Sequence, residues 1–483
     1  MNNTNHGIAR KQDLRYSLVA DTDSYKFSHW NQYPPGTSRM MSYFEARGGE
    51  FAECTLFGLQ YLLHQYLART ITRQDVAEQK AFAEAHGEPF NEAGWLHIVN
   101  RYGGRLPVRI RSIPEGTVVP VSNALLTIES VDDPQCAWIV SWLETMLVRL
   151  WYPSTIATTS RESKKVLREF LELTADDPAA ELGFKLHDFG ARGVSCLEQS
   201  RLGGAAHLLN FFGSDTVEGI RLANHFYGAD MAGFSIPATE HSTMTMWGED
   251  GEQDAFESYV RHYLLERQVP PGMPKLAACV SDSYDIFRAV EQYWCGERIL
   301  PLLKASGGTL VIRPDSGDPL EVLPRIFEIL ESRVGMTVNS KGFKVLPPYF
   351  RVIQGDGIDR ASMRAILERL ADLKISASNI AFGSGGGLLQ KVNRDTQKWA
   401  FKCCNAVVNG RAVDVRKMPV TDVGKRSKCG RLDLIRTDRG FETVALPEGQ
   451  EAHPDTAMVT VFEHGIITHD TTFAECRARM ELP

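Results

Sequence analysis

From about residue 150 the chain repeats one pattern: a short apolar run, a polar or glycine-rich loop, then a stretch whose apolar positions recur at helical spacing. The apolar runs cover residues 184–186, 208–212, 276–280, 309–312, 350–353 and 380–382. Most of their starts lie roughly 25 to 40 residues apart, which suits repeated βα units and predicts a parallel sheet or barrel. In a barrel, the loops that follow the strands gather on one face, and that face holds the active site. Before residue 150 the rhythm differs. Residues 42–47 read as a strand ending in Arg47, residues 56–86 and 89–102 as amphipathic helices, and residues 106–127 as short strands separated by turn residues. The most apolar long run, residues 137–151, contains Glu144 and Arg149 and is too short to span a bilayer, so it reads as a buried helix. The expected fold class is α/β. An α+β domain over residues 1–150 is completed by residues 392–483, and residues 151–391 form an α/β barrel domain.

The loops after the expected strands are rich in polar groups. In order they are residues 187–193 (His-Asp-Phe-Gly-Ala-Arg-Gly), 213–216 (Gly-Ser-Asp-Thr), 281–285 (Ser-Asp-Ser-Tyr-Asp), 313–317 (Arg-Pro-Asp-Ser-Gly), 354–357 (Gln-Gly-Asp-Gly) and 383–387 (Gly-Ser-Gly-Gly-Gly). Helix capping accounts for single members, since Asp282 or Ser283 precedes an apolar helical stretch. Six converging loops point instead to a phosphate-and-sugar site. In the last loop, glycines let the backbone approach a phosphate and present its N–H groups. That loop matches neither common nucleotide fingerprint: Leu388 stands where G-x-G-x-x-G needs its last glycine, and no G-K-[ST] follows.

The composition, 43% hydrophobic and 23% charged, is that of an ordinary globular protein. A net charge of −7 argues against nucleic acid or an anionic membrane as main partner, so an anionic ligand must be held by local charge. Residues 391–439 supply it, with 13 Lys/Arg against 5 Asp. Nine cysteines without C-x-x-C or metal-like spacing read as reduced thiols, and the polar first 14 residues lack a signal peptide's apolar core; both give a cytoplasmic expectation. Tyr25, Trp30 and Tyr33 crowd the N-terminus beside charged groups, as a ring-packing segment or a ligand platform. His241 follows Glu240, which offers a base-like environment, but the stretch is not H-E-x-x-H and does not indicate zinc. The His-Asp-Phe-Gly run at 187–190 is not a kinase metal loop, because no H-R-D accompanies it.

Taken together, residues 22–26, 33–47, 187–193, 233–243, 280–286, 312–319, 351–358, 379–391 and 425–432 resemble the nicotinamide phosphoribosyltransferases, related to nicotinate phosphoribosyltransferase, over nearly the whole chain. The resemblance implies an irregular (β/α) barrel of the type II phosphoribosyltransferase kind. The implied reaction is transfer of the 5-phosphoribosyl group of PRPP to nicotinamide, giving nicotinamide mononucleotide and pyrophosphate, a step of NAD salvage. It also implies Mg²⁺ with unknown protein ligands, ATP as co-substrate acting through a phosphohistidine, and a homodimer with sites at the interface. By the same resemblance His241 is the phosphorylated residue, with Glu240 beside it, Asp282 orienting its ring, and Asp315 at the ribose. Phe189 and, from the partner subunit, Tyr25 sandwich the pyridine; Asp215 accepts from the amide, with Asp23 of the partner subunit nearby and Arg313 over the ring. Gly355 and Asp356 belong to the ribose site, and Gly385 and Gly386 to the nucleotide-phosphate loop. Arg47, Arg192, Arg394, Lys402, Lys417 and Lys425 contact phosphate or pyrophosphate. Ala191 and Ala400 depart from the pattern, where relatives carry Tyr and Ser, which puts the pocket edge and one phosphate contact in question. Two other readings remain at this point: nicotinate phosphoribosyltransferase, and a non-catalytic phosphometabolite-binding protein on the same barrel, whose expected loss of the His or the acids is not seen.

Overall fold

A computed structural model describes residues 14–131, 133–417, 427–447 and 449–482. The repeated apolar runs form a five-stranded parallel sheet in the order Leu186–Asp188, Ile380–Ser384, Phe350–Gln354, Thr309–Arg313, Leu276–Val280. Short apolar strands suit this sheet because helices cover one face and the cavity lining the other, so neither face needs alternating polar residues. The sheet is half of a barrel. The remaining arc is made by isolated parallel bridges, Asp188 to Ser214, Gly213 to Phe234, and Ala238 to Ala278, which return to the first-named edge's opposite end at Leu276–Val280.

Two local expectations fail. Residues 208–212 are not a strand: they follow the helix Leu197–His207 as its buried exit turn, and Gly213 and Ser214 take the strand's place in the barrel. An apolar run at a buried helix end has the same composition as a core strand, so pattern alone does not separate them. Residues 137–151 are not one helix either. They fold as Ile139–Trp142 and Glu144–Val148, and a third helix, Trp151–Thr174, then begins. This long helix contributes Tyr152, Ile156 and Ala157 to one hydrophobic core and Val166, Leu167, Phe170 and Leu171 to the barrel core. Each such isoleucine, valine, leucine or phenylalanine side chain, when fully buried, is worth about 1.5–3 kcal/mol, so the helix ties the two cores firmly.

The second sheet has seven strands. Thr37–Ala46, Val108–Ser112 and Ala124–Ser130 pair with Trp399–Val408, Arg411–Asp414, Val459–Glu463 and Ile466–Ile467. Tyr43 lies opposite Lys402 across one antiparallel pair, which places the basic segment directly against the strand that ends before Arg47. Among the described residues, no helix is long and apolar enough to cross a membrane.

Candidate active site

A cavity of about 1140 Å³ opens at the C-terminal ends of the barrel strands. It passes Arg313 and Asp315 and continues along the sheet to Leu276, Arg351 and Ile380 at the strands' other ends. Phe189, Arg192, Asp215, Glu240, His241, Arg313 and Asp315 all line it.

The rim is organised around His241, which opens the short helix His241–Thr245. Its Nε2 lies 3.1 Å from Asp282 Oδ1 and its Nδ1 3.9 Å from Asp315 Oδ2. Asp282 is itself fixed: its Oδ2 accepts from the Asp315 N–H at 3.0 Å and from the Ser316 hydroxyl. Asp282 therefore holds the imidazole with Nε2–H donated and Nδ1 free to accept. The His241 side chain is 46% exposed and Asp282 only 4%, so the ring meets solvent while its anchor does not. Glu240 turns away from the ring and accepts from the Ser242 hydroxyl.

Deeper in the cavity, Phe189 packs against the small cluster of Ala278, Val311 and Ile353 and, on another side, against the backbone of two glycines. A Cβ built on Gly383 would stand 1.9 Å from the ring, and one on Gly355 3.2 Å from it. These two glycines let the ring lie flat over the strand ends. A Gly383→Ala substitution is expected to push the ring out of place at a cost of about 1–3 kcal/mol, read as a roughly 10- to 100-fold rise in the KM for the aromatic substrate. Steady-state kinetics beside a thermal melt distinguishes this from general unfolding. Asp215 lies in the loop neighbouring Phe189, and the Ser235 hydroxyl donates to its Oδ1. Arg313 spends one N–H on the Thr239 carbonyl at 2.9 Å, which aims the guanidinium along the wall. His187 also lines the cavity; its Nε2 donates to the carbonyl of Phe184, another wall residue, at 2.9 Å, and burial lowers its pKa.

Two further loops meet beside Phe189. Ser384 Oγ donates to the Ile358 carbonyl at 2.6 Å, binding the Gly355–Asp356 turn to the glycine loop. Gly385 caps the short helix Gly386–Leu389, and the first N–H groups of that turn have no helical acceptor. Asp356 is exposed and is not among the residues that line the cavity.

The remaining expected residues lie elsewhere in the chain. Asp23 accepts from Thr145 Oγ1 at 2.6 Å, and Tyr25 is 56% exposed with its ring edge on His29. Arg47 pairs with Glu45 at 2.9 Å. Burial lowers the Lys402 pKa; Glu144 works against that shift, and the nearby charges of Arg47, Lys417 and Arg394 add to it. Glu144 also pairs with Lys26 at 2.9 Å. Thus Arg47, Arg394, Lys402 and Lys417 form one cationic cluster, with Tyr25 close by through Lys26, on the seven-stranded sheet side. None of these residues lines the barrel cavity of the same chain. Lys425 lies outside the described residues.

Three contributors escaped sequence reasoning. Ser235 sits within the stretch 233–243 but carries no charge, and only the bridge between Gly213 and Phe234 brings it to Asp215. Ser316 and Glu144 become relevant only through Asp282 and Lys402. The one cluster of His, Cys and acid side chains with metal-like proximity among the described residues, His97, Asp133 and Cys136, is remote from the cavity. Its carboxylate is engaged by His97 at 2.6 Å, Tyr102 at 2.9 Å and Arg101 at 3.3 Å, which is the pattern of a buried ion pair.

Residues 184–465 match the nicotinate phosphoribosyltransferase (NAPRTase) family, and residues 17–110 match the nicotinamide phosphoribosyltransferase N-terminal domain. A protein of Xanthomonas campestris pv. campestris (strain 8004) named nicotinamide phosphoribosyltransferase is 50% identical over 470 residues, covering 96% of this chain and 98% of that one. One of the same name from Acinetobacter baylyi is 30% identical, covering 97% of both chains. Among solved structures, nicotinate-nucleotide pyrophosphorylase from Pyrococcus furiosus superposes with a TM-score of 0.60 at 14% identity, covering 98% of this chain and 97% of that one. Human nicotinic acid phosphoribosyltransferase superposes at 0.53 and 15%, covering 95% and 92%. At such identities the two structures show a shared fold.

Proposed function

The chain belongs to the nicotinamide and nicotinate phosphoribosyltransferase family, and we propose that it transfers the phosphoribosyl group of PRPP to nicotinamide, releasing pyrophosphate. The observation that carries the choice of base is Asp215: a carboxylate held by Ser235, in the loop beside the Phe189 platform. Such a group accepts from a carboxamide NH₂ and repels the carboxylate of nicotinic acid.

The pyridine nitrogen attacks the ribose anomeric carbon as the bond to pyrophosphate breaks, so positive charge grows on the sugar and negative charge on the leaving group. Catalysis then consists of alignment and electrostatic stabilisation. Phe189 and Arg313 on the cavity wall would hold the pyridine, and the carboxylates proposed for the sugar are Asp315, on the same wall, and Asp356, in an exposed loop outside it. A hard carboxylate oxygen at Asp315 would suit Mg²⁺ bound mainly through substrate phosphates, where it would neutralise charge on the leaving group, while the Asp282 oxygens are taken up by His241, the Asp315 N–H and Ser316.

The cationic cluster of Arg47, Arg394, Lys402 and Lys417 is the natural acceptor for that pyrophosphate, yet it lies outside its own chain's cavity. A homodimer that brings the cluster and Tyr25 of one subunit to the barrel of the other would complete the site. Mixing Asp215→Ser chains with Lys402→Ala chains is the check. Each homodimer is expected to be nearly inactive, while a heterodimer regains one intact site, so a randomised equal mixture recovers about a quarter of wild-type activity. No recovery after subunit exchange would show that each chain builds its site alone.

ATP is proposed to phosphorylate His241 at Nδ1, the nitrogen left free by Asp282. The γ-phosphoryl bond to ADP breaks and an N–P bond forms. The added negative charge beside Asp315 would favour Mg²⁺ there and, with it, the binding of PRPP. The assignment as a whole is tested by incubating the purified protein with PRPP and nicotinamide and measuring nicotinamide mononucleotide.

A further inference from the structure

We infer that Asp188 is the positioning residue of the pyridine end of the site, its buried side chain holding the loop that carries Phe189 against the loop that carries Asp215. The inference rests on the proposed binding of a pyridine amide between those loops. Asp188 is completely buried and does not line the cavity. Its Oδ1 accepts from the Gly190 N–H at 2.7 Å, which pins the turn immediately after Phe189. Its main chain serves the other loop, donating to the Gly213 carbonyl at 3.2 Å and accepting from the Asp215 N–H at 2.9 Å. Phe189 N–H donates to Ser384 at 3.0 Å, so the glycine loop is tied to the same point.

The second carboxylate oxygen decides the role. Asp188 Oδ2 is buried without a hydrogen-bond partner, and so is the hydroxyl of Thr216, the residue after Asp215. Both groups open onto Gly204: a Cβ there would stand 3.4 Å from Asp188 Oδ2 and 2.8 Å from Thr216 Cγ2. The carboxylate oxygen and the Thr216 side chain thus share one packed chamber beneath the two loops, close enough for Thr216 to counter part of the burial that raises the Asp188 pKa. Burial pushes the Asp188 carboxyl up to about 6. Capping Gly190 uses only one oxygen, and the second is left to face Thr216 and so to hold the Asp215 loop from its inner side. Helix glycine Gly204 leaves the space that this contact needs.

The test is steady-state kinetics of wild type, Asp188→Ala, Asp188→Asn and Thr216→Val with nicotinamide and PRPP varied in turn. Asp188→Ala is expected to raise the nicotinamide KM roughly tenfold or more while the PRPP KM stays within about twofold. Asp188→Asn is expected to rescue, because its carboxamide oxygen still accepts from Gly190 and its NH₂ can donate to Thr216. Thr216→Val is expected to shift the nicotinamide KM in the same direction by a smaller factor. An unchanged nicotinamide KM in Asp188→Ala, a parallel rise in both KM values, or an Asn variant as impaired as Ala would overturn the positioning role. Should Asp188→Ala fail to fold, Thr216→Val with wild-type kinetics overturns it. A wild-type protein that makes no nicotinamide mononucleotide defeats the underlying reading instead, so the two failures are distinguishable.

Discussion

Asp215→Ser is expected to lower kcat/KM for nicotinamide by roughly 10²- to 10³-fold and to raise turnover of nicotinic acid above its wild-type level. Two losses combine for the amide. The substrate NH₂ loses a charged acceptor, and Ser235, which now donates to Asp215, loses its partner. For the acid the sign reverses. A like-charge contact that costs several kcal/mol disappears, and two hydroxyls, Ser235 and the introduced serine, face the carboxylate. The structure also indicates that the variant should fold, since Asp215 is an exposed member of the cavity wall. The check is kcat/KM for both bases on the same preparation. Equal losses for both would assign Asp215 a structural part.

His241→Ala is expected to abolish stimulation by ATP while leaving a slow ATP-independent transfer. The ring touches Asp282 and Asp315 and no part of the Phe189 platform, so its removal takes away the phosphoryl acceptor without disturbing the pyridine end. If the phosphorylated ring organises Mg²⁺ and PRPP, the loss should appear mainly in the PRPP KM, by roughly tenfold or more, with the nicotinamide KM little changed. Asp282→Asn is the companion variant: the ring stays, but its Nε2–H loses a charged acceptor and its orientation weakens. Unchanged ATP stimulation in His241→Ala would refute the phosphohistidine.

The parallel sheet was legible because buried parallel strands are short continuous apolar runs, and those at 276–280, 309–312, 350–353 and 380–382 became strands within a residue or two. The remaining arc was not. Gly213, Ser214, Phe234 and Ala238 contribute one bridge each, too little for any periodicity to register. Residues 208–212 misled for the reason that makes them stable, an apolar helix exit whose Leu208 and Leu209 are buried in one core and Phe211 in the other. The pairing of Thr37–Ala46 with Trp399–Val408 joins segments more than 350 residues apart, and no local pattern encodes such a pairing.

Site chemistry was legible where it rests on charged or glycine-rich loops, as at residues 281–285, 313–317 and 383–387. It was hidden where it rests on contacts. Ser235 is an ordinary serine until the fold places it on Asp215, and Gly383 is one glycine among several until Phe189 is laid across it. Asp188 was read only as part of a four-residue run, although its neighbours on either side of the chamber come from three separate elements.

The most direct measurement is product formation by the wild-type protein from PRPP with nicotinamide and nicotinic acid in parallel, each with and without ATP. Nicotinamide mononucleotide formed in preference to the acid product, and faster with ATP, is the predicted result. Turnover of nicotinic acid alone would contradict the role given to Asp215, and binding of PRPP without turnover of either base would contradict catalysis itself.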